Sequence, residues 1–386
     1  MGVYGAGLYG AGLYGGGAVV VDRAPEPRHK APGPLTCRVT NQAGQWAYLN
    51  AFGKTSGLSF VWGYPGGPQS AQVSVDIAPQ VDIPALVQGA SFEIIRGASV
   101  GWRGKVASIT PGTPRQIQVD GLAGLSTREV ALVTGSLDDI VDASISNGMP
   151  WTRPATLTGG WTTTDVPITT TLDQVLGSGL TPLGKRWTVD NLGAVRSQVD
   201  PTGTPTLLIR VTDPAIPVTL NKYVTRVTVH YTDTTSGLPD WLPVINTAAE
   251  AKFGRVVGEI LLSPYVTYTS TEATAAGQLY LDRVSPRLTL TGSFTVTNGQ
   301  ITTGQGASVD LADIKNISGK LARLQFASPL RDAQLGSVMA FDVVIGECTY
   351  DDDNATLSVS PVDAGLTPAQ ILFGAQGGGD YVSPYA

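Results

Sequence analysis

Three aspartates that lie close together are the residues of this chain whose spacing offers the most chemistry. Asp138, Asp139 and Asp142 fall in one short segment, and glycosidases need two carboxylates that flank one substrate. The same segment is predicted to begin a helix, where the helix dipole favours negative charge. The dipole is the better explanation of this group. A glycosidase pair stays open for the chain as a whole, because its spacing is spatial rather than sequential.

The densest acidic segment is Asp351–Asn354, which we predict to be the turn of a hairpin. Turns that are rich in carboxylate and amide oxygens can bind calcium. No glutamate follows at the spacing from which a calcium loop draws its bidentate ligand, and acidic turns are common on solvated surfaces. A solvated turn is therefore the favoured interpretation, and a calcium site is the minor alternative.

Histidine and cysteine offer little to a nucleophilic or metal-dependent mechanism. The two histidines are His29, in a proline-rich segment, and His230, on a predicted strand, and neither lies in a nucleophile-elbow pattern. Cys37 and Cys348 are far apart without CxxC spacing, so two free thiols are favoured over one long-range disulfide. HExxH, P-loop and dinucleotide-binding motifs are absent from the sequence. We therefore expect no catalytic residues, no metal site and no cofactor.

Tryptophans are candidates for binding. Trp151, Trp161 and Trp187 lie in a segment that is rich in threonine and glycine. Together with Trp241, they could form a surface that contacts glycans or a partner. Burial in a core or at an interface is the more common role of tryptophan.

Tyrosines recur in the glycine-rich first 17 residues, where each is followed by glycine, and they recur again near the C-terminus. Glycine favours no single conformation, so such an arm cannot fold alone and a disordered tail is one interpretation. Tyrosine is also a rigid amphipathic anchor, which favours an arm that a neighbour holds in place. The predicted interface residues are Tyr4, Tyr9, Tyr14, Tyr381 and Tyr385.

Composition predicts a framework of short strands. The chain has 386 residues, of which 47 are glycine and 26 are proline, and only 15% are charged. This mixture suits many short strands that are joined by tight turns. The net charge is −6 and the basic residues are scattered, which argues against a dedicated nucleic-acid binder. No run of about 18 apolar residues and no signal-peptide pattern occur, so we expect neither a membrane span nor a signal peptide.

The centre of this framework is a predicted three-stranded meander at 91–125, in which Gly104 has the place of a bulge glycine. Such a meander needs a second layer or barrel closure. We predict a mainly β fold with α+β insertions, in which two β-barrel-like domains are accompanied by small inserted domains. The predicted divisions are 1–34 (arm and linker), 35–135 (first barrel), 136–204 (small α+β insert), 205–285 (strand pair with two helices), 286–373 (second barrel) and 374–386 (tail). Predicted helices cover Leu137–Asn147, Thr171–Leu176, Val244–Phe253 and Thr271–Arg283, the last capped by Ser270.

The order of several segments resembles the tail-hub proteins, also called minor tail or baseplate hub proteins, of long-tailed bacteriophages of actinobacteria. The opening YGAGLYGAGLYG is similar to the openings of such proteins, and IIRGASVGWRGKVASI with IQVDGLAGL is similar to the first hub barrel. Later hub segments are similar, in the same order, to LDQVL, RWTVDNLGAVR, NKYVTRVTVHYTD, AEAKFGRVVGEILL and TEATAAGQLYLDRV. The resemblance spans most of residues 35–370.

The resemblance implies a structural protein of the virion, made in the host cytoplasm and located at the tail tip. It implies a homotrimer whose two barrels per chain form a pseudo-six-fold ring between a six-fold tail tube and a three-fold tip. The implied partners are further copies of the chain, the distal tail protein or tail tube, the tape measure protein, and other minor tail or fibre proteins. DNA would pass through the lumen without sequence recognition, which agrees with the absence of a basic stripe.

Two other functions stay open. A receptor-binding tail protein would contact host-surface glycans through the tryptophan-rich insert 148–190, which would then point outward. A cell-wall hydrolase at the tail tip would need convergent carboxylates or a metal site, and the small number of histidines makes it the less favoured function. Some relatives carry a peptidase or a long fibre extension, whereas this chain ends soon after the second predicted barrel. The resemblance therefore transfers no enzymatic residues.

Overall fold

The computed structural model describes residues 34–78, 80–129, 133, 135–157, 162–163, 171–180, 185–212, 218–220, 223–262, 267–284, 288–290, 292–332 and 336–362. Across these ranges the chain is mainly β with small helical units, which confirms the predicted fold class. The elements up to residue 199 are β1 (Leu35–Thr40), β2 (Trp46–Tyr48), β3 (Lys54–Trp62), β4 (Pro68–Asp76), β5 (Ser91–Arg96), β6 (Ser99–Thr110), β7 (Arg115–Gly121), β8 (Gly135–Ser136), α1 (Leu137–Ser146), β9 (Thr162–Thr163), α2 (Leu172–Leu180), β10 (Lys185–Val189) and β11 (Val195–Val199).

The remaining elements complete one large sheet, form a four-stranded small sheet and add the separate pair β13–β18. They are β12 (Leu207–Val211), β13 (Val218–Leu220), β14 (Arg226–Asp233), β15 (Pro239–Ile245), α3 (Thr247–Phe253), β16 (Val257–Leu261), β17 (Thr267–Tyr268), α4 (Ser270–Arg283), β18 (Leu288–Leu290), β19 (Phe294–Thr297), β20 (Ile301–Thr303), β21 (Leu321–Asp332), β22 (Gly336–Asp351) and β23 (Thr356–Pro361).

The large sheet joins the two segments that were predicted to be separate barrels. Its strand order is β2-β1-β5-β6-β7-β4-β3-β22-β21-β12-β20, with β23 between β22 and β19. Antiparallel pairing of β3 with β22, from Ser59 opposite Asp351 to Trp62 opposite Cys348, connects the early strands to the late ones. The apolar residues of both segments form one core cluster. The sheet therefore curls around a core that the two ends of the described chain build together.

The predicted meander is present as β5, β6 and β7, and its inner face is tightly packed. Trp102 is fully buried, and its Nε1 donates a hydrogen bond of 3.0 Å to the carbonyl oxygen of Val61 on β3. Gly104 keeps its register, opposite Phe92 and Gly121, so it is not the bulge residue that we predicted. A Cβ at this position would lie 2.3 Å from the Asp120 carbonyl oxygen. Glycine is therefore required because β7 and the indole approach closely.

The outer face of the meander carries a ladder of three charges. Glu93 on β5 lies opposite Arg38 on β1 and Arg103 on β6. Arg38 Nε donates to Glu93 Oε2 at 2.7 Å, and Arg103 Nη2 donates to Glu93 Oε1 at 2.6 Å. The two guanidinium groups bury the carboxylate, so this part of the outer face is closed by the chain itself.

A small unit with its own core cluster contains α1, α2, β10 and β11. The predicted start of α1 is confirmed, because the Ser136 side chain accepts from the Asp139 N–H and Asp139 accepts from the Ser136 N–H. The unit meets the large sheet at the β3–β4 turn. There a Cβ on Gly67 would lie 2.1 Å from the Val189 carbonyl oxygen, at a φ of +142°. Only glycine allows β10 to approach this turn so closely.

The small sheet has the order β15-β14-β16, with β17 also parallel to β14, and α4 covers one of its faces. The segment that we predicted as one unit at 205–285 contributes to both sheets, because β12 pairs with β20 and β21 of the large sheet. The prediction of a helix that begins at Val244 is wrong. Val244 and Ile245 end β15, and α3 begins at Thr247, where the Asn246 side chain caps it.

Candidate interaction surfaces

The three clustered aspartates stabilise the local structure around α1. Asp139 accepts from Ser136 Oγ at 2.6 Å and from the Ser136 N–H at 3.0 Å, and the Ser136 side chain lowers the pKa of this carboxyl. Asp142 receives two hydrogen bonds from Arg153, of 2.9 and 2.5 Å, which lower its pKa. Asp138 accepts from the Leu157 N–H at 3.0 Å. All three therefore fix a helix start and the chain that follows it.

The acidic segment Asp351–Asn354 is the predicted hairpin turn, between β22 and β23. Asn354 Nδ2 donates to Asp351 Oδ2 at 2.7 Å, and the Gly57 N–H donates to Asp353 Oδ2 at 2.8 Å. Burial, and next the neighbouring Asp353, raise the pKa of Asp352. Among the described residues, no three or more His, Cys, Asp or Glu side chains form a group that could hold a metal ion.

Two tryptophans of the candidate glycan surface lie in a core and not on the surface. Trp151 and Trp187 are buried, with ring centroids 6.0 Å apart, and Trp151 Nε1 donates to the Leu122 carbonyl oxygen at 2.8 Å. They pack between the two short helices and the β10–β11 hairpin, so neither ring is offered to a glycan. The alternative role in a core is the one observed. Trp161 lies outside the described residues.

The thiols and the histidines can also be placed. Cys37 and Cys348 are both free and buried, which confirms the prediction of two free thiols. Burial raises the pKa of Cys37 to about 12 and raises that of Cys348 as well, so both thiols stay protonated and unreactive at neutral pH. His230 lies on β14, opposite Trp241. His29 lies outside the described residues, as do the five tyrosines that we predicted to anchor an interface.

One face of the small sheet has no covering layer within the described chain, and we call it the bare face. On β15 the even-numbered Leu242 and Val244 turn towards α4, whereas Trp241 and Ile245 are exposed on the other side. The registers place these exposed residues in rungs with β14 and β16. The bare face consists of Pro239, Trp241, Pro243 and Ile245 on β15, Arg226, Thr228, His230 and Thr232 on β14, and Val257, Glu259 and Leu261 on β16.

The bare face is mainly apolar on its two flanks, apart from the exposed Glu259 of β16, and polar along its middle strand. Trp241 is 62% exposed, and Val257, on the other flank, is 50% exposed. In the middle row, Arg226 pairs with Glu250 of α3 at 3.1 Å. Prolines at 239 and 243 remove two backbone donors from the outer edge of β15, and the Trp241 N–H donates to the Asp240 side chain at 2.8 Å, which disfavours the addition of another strand at that edge. A partner would therefore contact the side chains of this face.

A cavity of about 410 Å³ lies beside the large sheet, and we call it the mouth cavity. It is bounded by the start of β1, the β5–β6 hairpin and residues 310–315. Its lining residues are Leu35, Phe60, Ile94, Arg96, Gly97, Ser99, Gly101, Asp310, Ala312, Asp313 and Lys315.

Solved structures share this fold over nearly the whole chain. The 43 kDa tail protein of prophage MuSo2 from Shewanella oneidensis is 14% identical with a TM-score of 0.50, covering 86% of this chain and 98% of that one. The tail protein from Neisseria meningitidis MC58 is 10% identical with a TM-score of 0.53, covering 89% and 99%. The prophage tail protein gp18 from Listeria monocytogenes EGD-e is 12% identical with a TM-score of 0.54, covering 87% and 97%.

The chain has the fold of phage tail proteins. No protein-family model matches the sequence, and no curated protein matches it either. The likeness to tail proteins is therefore carried by the three-dimensional arrangement. In the described part of this tail-protein fold, no helix is both long and apolar enough to cross a membrane. The position at the tail tip and the actinobacterial host stay predictions.

Sequence reasoning missed the bare face of this tail-protein fold. Its signal is the alternation in PDWLPVI, where Pro239, Trp241, Pro243 and Ile245 occupy every second position. Alternation of this kind predicts a strand with two different faces. The two prolines argued against a strand here, because proline within a run is compatible with a strand only at the edge of a sheet. β15 is such an edge strand.

Proposed function

We propose that this chain is a structural protein of a phage tail and that it forms the hub ring at the tail tip. The observation that carries the proposal is the extent of the shared fold. Each alignment covers 86–89% of this chain and 97–99% of a tail protein. At identities of 10–14% the likeness concerns the fold, and the role in the virion is our inference from it.

The surfaces of the chain support a role in an assembly. A ring subunit contacts its neighbours through two different patches, because head-to-tail contacts generate closed rings. We propose that the bare face and the mouth cavity, which belong to different sheets, are surfaces at which other copies make contact. In our proposal three copies form the ring, and the distal tail protein or tail tube, the tape measure protein and other minor tail or fibre proteins adjoin it. The net charge of −6 supports a lumen that lets DNA slide past.

We propose a role without catalysis. The carboxylates with the most suggestive spacing are occupied by the Ser136 cap, by Arg153 and by the Leu157 N–H. These contacts hold the carboxylates in the wall of the α1 unit, and they leave no pair facing one substrate. A hydrolase would contradict the proposal if purified chain released sugars or peptides from host cell wall.

A receptor-binding role is the second candidate, and the exposed Trp241 is the observation that favours it. A flat aromatic ring beside polar side chains, here His230 and Thr228, can stack on a sugar. A glycan array that is probed with the full chain and with Trp241→Ala tests this role. Signal that disappears in the variant would favour receptor binding, and absence of signal would favour the hub.

Location in the particle tests the leading proposal. We expect an antibody against the chain, viewed by electron microscopy of intact virions, to mark the tail tip alone. Label along the tail shaft or on the capsid would contradict the hub and would leave a general structural role. Label that is absent from the virion would contradict both.

A further inference from the structure

The mouth cavity has an apolar floor and a charged rim. Phe60 and Ile94 form part of the floor and are almost completely buried, and Phe60 packs against Tyr350 with ring centroids 5.4 Å apart. The rim carries Arg96 and Asp310, which form an ion pair. Phe60, Ile94 and Arg96 lie on strands of the large sheet, so this part of the cavity wall is preformed.

The charges of the rim decide which class of ligand fits. Two basic residues, Arg96 and Lys315, face two acidic ones, Asp310 and Asp313, so the formal charge is 2 − 2 = 0. A balanced rim gives no net attraction to a phosphate or to a divalent cation. A neutral group with an apolar body and a polar tip satisfies both floor and rim. Tyrosine and tryptophan are side chains with this character.

The chain itself carries such groups beside the cavity. Leu35, the first residue of β1, lines the cavity, and the first 34 residues of the sequence precede it directly. Residues 1–17 contain three triplets of an aliphatic residue, tyrosine and glycine, ending at Gly5, Gly10 and Gly15. In each triplet the tyrosine and its aliphatic neighbour supply apolar surface, and the glycine allows the backbone to approach closely.

The linker indicates which copy supplies the arm. Residues 25–34 contain four prolines, and a proline-rich segment of this length extends about 30 Å. From its proline content we expect this linker to be extended, so that it brings the tyrosines within reach of a neighbouring copy. We propose that the mouth cavity binds one aliphatic-tyrosine-glycine triplet from the N-terminal arm of a second copy. The proposal rests on the proposed function, because it needs an assembly of copies.

Photochemical cross-linking of the full chain tests the arm and its origin together. Ser99 lines the cavity and is exposed, and it would be replaced by p-benzoylphenylalanine in a mixture of isotopically heavy and light chains. We expect cross-links from residue 99 to peptides that contain Tyr4, Tyr9 or Tyr14, with heavy and light partners mixed in the statistical proportion. Cross-links that join only peptides of the same isotope would overturn the claim that a second copy supplies the arm. Cross-links only to peptides outside the arm would overturn the claim that the arm binds in the cavity.

A filled cavity provides the matched test. A Cβ at Gly101 would meet nothing closer than the Ile94 carbonyl oxygen at 3.8 Å, so Gly101→Leu places a side chain at the cavity without a backbone clash. Gly304→Leu is the control, because a Cβ there has its nearest contact at 3.6 Å and Gly304 does not line the cavity. We expect Gly101→Leu to reduce the arm cross-link at least about tenfold and Gly304→Leu to leave it unchanged. Equal cross-linking in both variants would overturn the proposal.

The arm gives a variant that leaves the folded part untouched. Replacing Tyr4, Tyr9 and Tyr14 by serine is expected to abolish the cross-link, and replacing them by phenylalanine is expected to retain most of it. The native mass of the chain separates a failure of the cavity proposal from a failure of the ring proposal. A chain that assembles normally while its arm cross-links elsewhere would contradict the cavity proposal alone. A chain that stays monomeric at every concentration would contradict the ring as well.

Discussion

In the large sheet, the inward-facing side chains pack against one another within one chain, whereas in the small sheet only one of the two faces is packed. Trp102 lies at the centre of the large sheet and is fully buried, while Trp241 on the small sheet is 62% exposed. Both are tryptophans on alternating strands, and local sequence does not separate them. The difference teaches that an apolar strand pattern identifies a face that is to be buried. The pattern does not say whether the same chain or another molecule buries that face.

Truncation of the two tryptophans would give the largest difference. Trp102→Ala removes a buried indole and its hydrogen bond to Val61, so we expect the free energy of unfolding to fall by about 3–5 kcal/mol. Trp241→Ala should change it by less than about 0.5 kcal/mol while weakening assembly. Denaturant unfolding at low protein concentration measures the first effect, and native mass measures the second.

Trp46 is the control for Trp241, because it is also 62% exposed and lies on β2, an edge of the large sheet. We expect Trp46→Ala to leave both the stability and the assembly unchanged. If Trp46→Ala and Trp241→Ala weaken assembly equally, exposure alone explains the effect and the bare face has no special role.

The covered face of the small sheet gives the next effect. A Cβ on Gly277 of α4 would lie 2.6 Å from Val244 Cγ2 and 2.8 Å from Val229 Cγ2. Gly277→Ala should therefore separate the helix from the sheet and cost about 1–3 kcal/mol, even though alanine favours helices. Gly177→Ala on α2, where a Cβ would meet no atom within 4 Å, should stabilise the chain by up to about 1 kcal/mol. Chemical denaturation compares the two variants. A change in the free energy of unfolding with the same sign in both would contradict the packing described for α4.

Charges on the large sheet give a smaller difference. Glu93 is buried between two arginines, so Glu93→Gln leaves both without their carboxylate and should cost about 1–2 kcal/mol after allowance for their partial exposure. The pair of Arg323 and Asp342 is more exposed, at 51% and 34%, and Asp342→Asn should cost less than about 0.5 kcal/mol. Shifts in the urea midpoint test the order, and a larger loss in Asp342→Asn would contradict it.

The smallest effect concerns pH. Hydrogen bonds from Arg153 hold the pKa of Asp142 below its unfolded value of about 3.9. The resulting stability is present above the unfolded pKa and is lost as pH falls through the folded pKa. Because the Asp142 side chain is 51% exposed, we expect Asp142→Asn to cost less than about 1 kcal/mol near neutral pH and nothing in strong acid. Urea midpoints across the acid range measure this, and a cost that is independent of pH would contradict it.

Local structure was largely predictable from the sequence, because its causes are local. The meander follows from alternation and turn residues, and α1 follows from its apolar spacing and the Ser136 cap. Even the error at α4 is small. Thr269 rather than Ser270 caps the helix, because only Thr269 has Glu272 three residues later to complete a capping box.

Pairing and burial could not be predicted in the same way. The parallel pairing of β12 with β21 brings Leu207 opposite Ala322, and no local pattern specifies a partner so distant in sequence. The burial of Trp151 and Trp187 depends on where two helices and a hairpin meet. For the candidate surfaces, sequence alone supplied Trp241 but assigned it to the wrong group of residues, because the face to which it belongs is built from three strands.

The native mass of the purified full-length chain tests the central claim most directly, namely that this chain is a subunit of a ring. Mass photometry over a range of concentrations should show a species of three times the 40.2 kDa of one chain, and the Trp241→Ala variant should need higher concentrations to form it. A chain that stays monomeric at every concentration, with Trp241 still exposed, would contradict the ring and would turn attention to the receptor-binding role.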